Sequence, residues 1–129
     1  MADSTYKILV ADDDEMIRTL HAEFVRGFGY EVEIAADGIE AIAKIGLGVD
    51  LVLTDAHMPN MDGFTLVKKI RETDKTTPLI MVTTEAEKPR IIEAIKAGVN
   101  NYVVKPFTPD TLMGKIQQTL EKVGAAQPA

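Results

Sequence analysis

The chain has 129 residues, enough for one domain with a sizeable core and too few for two. Lys and Arg number 14 against 20 Asp and Glu, a formal charge of −6, which argues against a free nucleic-acid-binding surface or a basic membrane face. There is no cysteine and there are only 2 histidines, His21 and His57, which excludes disulfides, thiolate catalysis and Cys- or His-rich metal sites. Apolar runs such as Leu79 to Val82 stop at about four residues, far short of a membrane span. No apolar leader follows Met1, so a reducing, cytoplasmic setting is expected.

Two patterns alternate along the chain. Lys7 to Ala11 is a short apolar run, the length of a strand buried on both faces. Met16, Ile17, Leu20, Phe24, Val25 and Phe28 then recur at helical spacing, closed by Gly27 and Gly29. Glu31 to Ala35 is a strand with polar interruptions, nearer an edge. Gly38 to Ile45 is a short helix through Ile39, Ile42 and Ile45, and Leu51 to Leu53 is a second apolar strand. Asp62 to Glu72 is helical through Phe64, Val67 and Ile70. Pro78 opens a strand over Leu79 to Val82, and one helix is expected from Glu85 to Ala97, ending at Gly98. Asn101 to Val104 is the fifth strand. Thr108 can cap the last helix with Pro109 in its first position, and Leu112, Ile116, Leu120 and Val123 form its stripe. The tail 124–129 carries no pattern and is expected to fray.

Strands alternating with helices, roughly 26 residues to the pair, imply a parallel sheet covered on both faces. Right-handed crossovers then leave only a few doubly wound α/β arrangements, with no room for a second domain.

In such sheets polar chemistry gathers at the carboxyl ends of the strands. Asp12, Asp13, Asp14 and Glu15 follow the first strand, and Thr54, Asp55 and His57 the third. Thr83, Thr84 and Glu85 follow the fourth, and Lys105 and Pro106 the fifth. Each has an ordinary explanation. The acidic run could cap the first helix, Asp55 could be a turn residue ahead of Pro59, Thr83 a strand-end hydroxyl and Lys105 a solvated charge. Their coincidence on one rim is the argument. Clustered carboxylates need a cation, and hard oxygen ligands suit magnesium. A divalent ion and one lysine would neutralise a phosphoryl group in transfer, with a carboxylate as nucleophile. Asp55, which stands apart from the acidic run, is the best candidate for that nucleophile.

These residues resemble the receiver domain of two-component response regulators, and most nearly its single-domain chemotaxis branch. The matching pieces are Ile8-Leu9-Val10-Ala11-Asp12-Asp13, Asp55 with Met58-Pro59-Asn60-Met61-Asp62-Gly63, Met81-Val82-Thr83, and Tyr102-Val103-Val104-Lys105-Pro106-Phe107-Thr108. The likeness spans about residues 5–123. It implies a (βα)5 flavodoxin-like fold with strand order 2-1-3-4-5, an order that comes with the resemblance and not from the residue pattern. It also implies a phosphorylation-controlled switch, not an enzyme beyond its own phosphotransfer and dephosphorylation. Asp55 would accept phosphate from a histidine kinase. Asp13 and Asp55 would bind Mg2+ directly, Asp12 largely through water, and the His57 backbone carbonyl would complete the set. Lys105 would contact the phosphoryl group, and the Lys105–Pro106 peptide would be cis. Thr83 would move toward the phosphoryl group and Tyr102 swing inward. That would change a face carrying Lys88, Tyr102 and Lys115, which in the chemotaxis branch docks on the flagellar motor switch and the kinase. A monomer is expected, with no nucleic acid or membrane as partner.

Three features depart from that branch. Asp14 adds an acid where an apolar residue is usual, either as a helix cap or as part of the cluster. His57 either faces solvent or tunes dephosphorylation through the attacking water or Glu85. Thr84 is bulkier than the usual Ala or Gly and could restrict access to Asp55. A phosphorelay intermediate, or a receiver taken from a longer regulator, are the alternatives. A haloacid-dehalogenase-type phosphatase fails because Asp12-x-Asp14 is followed by Glu15 and Met16. A flavodoxin-like cofactor binder fails for want of a Gly-rich phosphate loop. A receiver that only binds partners is disfavoured by the retained Asp12, Asp13, Asp55, Thr83 and Lys105.

Overall fold

A computed structural model of the chain describes residues 6–122, apart from the side chains of Glu85 and Lys88. Five strands, β1 (Lys7–Ala11), β2 (Glu31–Ala35), β3 (Leu51–Asp55), β4 (Leu79–Thr84) and β5 (Asn101–Lys105), alternate with helices. The helices are α1 (Glu15–Gly27), α2 (Gly38–Ile45), α3 (Gly63–Thr73), α4 (Ile91–Ala97) and α5 (Pro109–Lys122). All neighbouring strands pair in parallel, in the order β2-β1-β3-β4-β5, the order implied by the resemblance. The polar-interrupted β2 lies at an edge, as its pattern requires. The tail 124–129, Val123 and residue 5 lie outside the described residues.

The period of two along each strand divides the core. Leu9, Val52, Leu79 and Met81 face α2, α3 and α4 and pack with Ala41, Phe64, Val67 and Ala94. Ile8, Val10, Leu53, Ile80 and Val103 face the other way and pack with Val25 of α1 and Leu112, Ile116 and Leu120 of α5. Leu53 is 1% exposed, so truncation to Ala would cost about 2–5 kcal/mol.

Local signals place the helix starts. Asp14, Asp37 and Asp62 each accept a hydrogen bond from a backbone N–H three residues on and cap α1, α2 and α3. Thr108 does the same for α5 through the Thr111 N–H.

Two expectations need correction. The helix over Glu85 to Ala97 is instead a 3-10 segment (Glu85–Arg90) followed by α4. Pro89 has no N–H to donate, and its ring collides with the carbonyl four residues before, so an α ladder cannot run through it. The stripe of α1 is also rotated from the expected one: His21, Ala22 and Val25 are buried, while Met16 is 82% exposed. At 3.6 residues per turn Met16 lies about 180° around the helix from Val25.

Candidate functional site

β1, β3 and β5 deliver the charged groups to one edge of the sheet. The strands run further than their apolar stretches suggest, so Asp55, Thr83, Thr84 and Lys105 are themselves strand residues, held in register by the ladder. The Asp12 N–H donates to the Ala35 carbonyl at 3.0 Å, extending the hold of β2 past the end of β1. The Asp12 carbonyl accepts from the Arg18 guanidinium at 2.9 Å, and Asp12 Oδ1 accepts from the Asp14 N–H at 3.0 Å. Asp14 itself caps α1 and takes no part in the cluster, which settles its role.

One carboxylate oxygen from each of Asp12, Asp13 and Asp55 lies within 4.8 Å of the others. Asp12 and Asp55 are buried and Asp13 is exposed, so the group opens to solvent on one side. Lys105 Nζ stands 3.1 Å from Asp55 Oδ1 and 3.5 Å from Asp12 Oδ2. Burial pushes the Asp55 carboxyl above its ordinary value; the Lys105 ammonium opposes this, and Asp12 and Asp13 reinforce it. Burial alone would lower Lys105, yet Asp55 and Asp12 outweigh it and hold the ammonium above its usual value. A single ammonium among three carboxylates leaves negative charge uncompensated, and an all-oxygen donor set fits a hard divalent cation.

The loop after β3 is held tightly to the site. The Gly63 N–H donates to the Ala56 carbonyl at 2.9 Å. A Cβ at Gly63 would collide with the carbonyl oxygen of Asp55, so only glycine fits there. Asn60 adopts φ 68°, the left-handed region that asparagine tolerates. The Lys105–Pro106 peptide is cis.

The remaining candidates fall into two groups. Thr83 is buried beside the cluster, but its hydroxyl faces Glu87 Oε1 and the Thr84 carbonyl, each at 3.3 Å. The Thr84 hydroxyl is likewise turned to Glu87, at 3.2 Å. His57 is exposed and pairs through Nε2 with the same Glu87 carboxylate, not with solvent alone. The Glu85 and Lys88 side chains, expected to tune dephosphorylation and to face a partner, lie outside the described residues. Tyr102 and Lys115 stand together, with the Lys115 ammonium 5.2 Å from the ring centre.

Sequence reasoning passed over two groups. Glu87 is buried and joins His57, Thr83 and Thr84; the spacing Thr84-x-x-Glu87, a capping-box pattern, was the available signal. His21 is buried with its ring 4.8 Å from that of Phe107. Burial lowers its pKa, opposed by Asp12 and aided by Lys105. A lone histidine on a helix carries no such signal.

No helix among the described residues is long and apolar enough to cross a membrane. The family model for the response regulator receiver domain matches residues 8–117. The chain is 44% identical over 119 residues to chemotaxis protein CheY1 of Helicobacter pylori, covering 88% of this chain and 96% of the relative. It is 40% identical over 121 residues to chemotaxis protein CheY-3 of Vibrio cholerae, covering 91% and 93%. Among solved structures, the chemotaxis response regulator CheY4 of Vibrio cholerae superposes with a TM-score of 0.84 at 39% identity, covering 90% of this chain and 99% of that one.

Proposed function

We propose that this chain, which belongs to the response regulator receiver family, is a phosphorylation-driven signalling switch that takes its phosphoryl group on Asp55 and acts in chemotaxis. The observation that carries the assignment is the placing of Asp55: buried, ending the central strand β3, 3.1 Å from Lys105 and grouped with Asp12 and Asp13. The chemotaxis reading is supported by relatives named as chemotaxis proteins that match over nearly their whole length.

Asp12, Asp13 and Asp55, with the His57 backbone carbonyl, would hold Mg2+, which when bound supplies charge to the phosphoryl oxygens. A carboxylate oxygen of Asp55 attacks phosphorus on a phosphohistidine of the kinase. The new P–O bond forms as the P–N bond breaks, and the imidazole leaves with its electron pair and takes up a proton. Lys105 stays protonated and pairs with the transferred oxygens. The Thr83 hydroxyl donates to one of them, and Tyr102 follows inward. In a separate step, water attacks phosphorus and gives up a proton to solvent, the P–O bond to Asp55 breaks, the carboxylate is regenerated and inorganic phosphate is released. The altered surface around Tyr102, Lys88 and Lys115 would then engage a flagellar motor switch protein in the cytoplasm.

The test is incubation with acetyl phosphate and Mg2+ followed by intact-mass measurement. One phosphoryl group is expected on the wild type and none on Asp55→Asn; an adduct surviving that substitution would overturn the assignment. Capture of the motor switch protein only in the presence of beryllofluoride would support the chemotaxis role. Transfer onward to a histidine phosphotransfer domain, without that capture, would replace it with a relay.

A further inference from the structure

The buried carboxylate of Glu87 lies between β4 and α4 and ties together three parts of the site. Its Oε1 accepts from the Thr83 hydroxyl at 3.3 Å, the Thr84 N–H at 3.0 Å and the Thr84 hydroxyl at 3.2 Å. Its Oε2 faces Nε2 of His57, which belongs to the loop following Asp55. The carboxylate therefore links the end of β4 to the loop after β3, beside the cluster of Asp12, Asp13 and Asp55.

A hydroxyl and a backbone N–H have one proton each. The Thr83 hydroxyl, with Glu87 Oε1 and the Thr84 carbonyl each at 3.3 Å, cannot donate to either of them and to a phosphoryl oxygen on Asp55 at the same time. A phosphoryl group and the Glu87 carboxylate are both anions, and they draw on the same donors at the end of β4. The Glu87 charge also opposes the arrival of further negative charge nearby.

We propose that Glu87 is a positioning residue that restrains the switch: an internal carboxylate holds Thr83 and Thr84 until a phosphoryl group on Asp55 takes their donors. His57 lies against Oε2 from the β3 side. The inference rests on Asp55 as phosphoacceptor and deepens that reading by naming what sets its threshold. A plain capping role for Glu87 makes a different demand, because a cap holds the first turn of the 3-10 segment and is indifferent to the Thr83 hydroxyl.

The experiment titrates the full chain with beryllofluoride in saturating Mg2+, read by 1H–15N shifts. Glu87→Gln keeps an acceptor and the shape but removes the charge, and is expected to bind beryllofluoride about three- to tenfold more tightly than wild type. Glu87→Ala is expected to gain at least as much. Should Glu87→Ala lose its metal-free folded spectrum, Glu87→Gln decides alone. In a Thr83→Ala background the gain from Glu87→Gln should shrink by about twofold or more, because the hydroxyl that both anions compete for is gone and only the Thr84 contacts and the charge effect remain. Equal or weaker binding by the Glu87 variants would overturn the inference, as would a gain that persists undiminished without the Thr83 hydroxyl. Failure of the site reading looks different: beryllofluoride would then leave the wild type unshifted or shift Asp55→Asn equally.

Discussion

Lys105 reaches over the end of β4 to place its ammonium 3.1 Å from Oδ1 of Asp55, two strands away in the sheet. The contact joins residues 50 apart in sequence, and the same ammonium lies 3.5 Å from Asp12 across a further strand. It can do so because β3 and β5 end on the same edge, β5 two residues further on, with Asp55 opposite Val82 and Lys105 opposite Thr84. Half-buried, the lysine offsets part of the charge that the cluster concentrates.

That offset is incomplete, and the sign of the Asp55 shift has a consequence for stability. Burial first, then Asp12 and Asp13, raise its pKa above the ordinary 3.8 in spite of Lys105. The native state then holds the proton more tightly than the unfolded chain. The resulting destabilisation begins as pH rises through 3.8 and is complete above the folded value. Asp55→Asn should therefore be more stable than wild type at neutral pH in chelator, with the difference closing below pH 3.8. Urea midpoints across pH check this; equal stability at neutral pH would contradict it.

Mg2+ should relieve the same repulsion. At tenfold excess over Kd it should add about 1.4 kcal/mol by mass action. Asp13→Asn removes one of the grouped carboxylates, so it should be more stable than wild type in chelator and gain less from the ion. Thermal melts with and without Mg2+ measure both, and a wild-type melt that Mg2+ leaves unmoved would count against the shared site.

Two glycine substitutions should have opposite signs. A Cβ at Gly63 meets the Asp55 carbonyl oxygen and, at 3.0 Å, the Ala56 Cα, both backbone atoms with no freedom to rotate away. Gly63→Ala should cost about 1–3 kcal/mol and slow phosphoryl uptake by displacing Asp55. In α5, a Cβ at Gly114 has nothing within 4 Å, so Gly114→Ala should stabilise by about 0.5–1 kcal/mol. Denaturant titrations of both variants decide.

Asp74 ends α3 and accepts from the N–H groups of Thr76 and Thr77, each at 2.9 Å. Hydrogen bonding, that of the Thr77 hydroxyl foremost, lowers its pKa to about 2. Its contribution is present above pH 3.8 and is lost as pH falls through about 2. Asp74→Ala should cost about 1 kcal/mol at neutral pH, modest because the turn faces solvent. The gap to wild type should narrow between pH 4 and about pH 2, and a gap independent of pH would show that the charge is not involved.

Much of the architecture is written locally. The apolar runs of β1 and β4, the caps Asp14, Asp62 and Thr108, and Gly98 with its φ of 122° act over a few residues, so their spacing in the chain is enough to place them. The acids after β1 and β3 and the lysine after β5 could be assigned to one edge, because parallel strands all end on the same side. Distances and partners belong to tertiary structure. Only the packing of α1 against the sheet selects Val25 over Met16 as the buried face, since both are apolar and helical spacing permits either. Only the joining of the loop after β3 to the 3-10 segment after β4 shows that His57 meets Glu87, and that the Thr83 hydroxyl faces the same carboxylate. The physical reason is range: propensity and capping are decided among neighbours in sequence, whereas the charges of a site interact through space, where residues 55 and 105 become adjacent only once the sheet has formed.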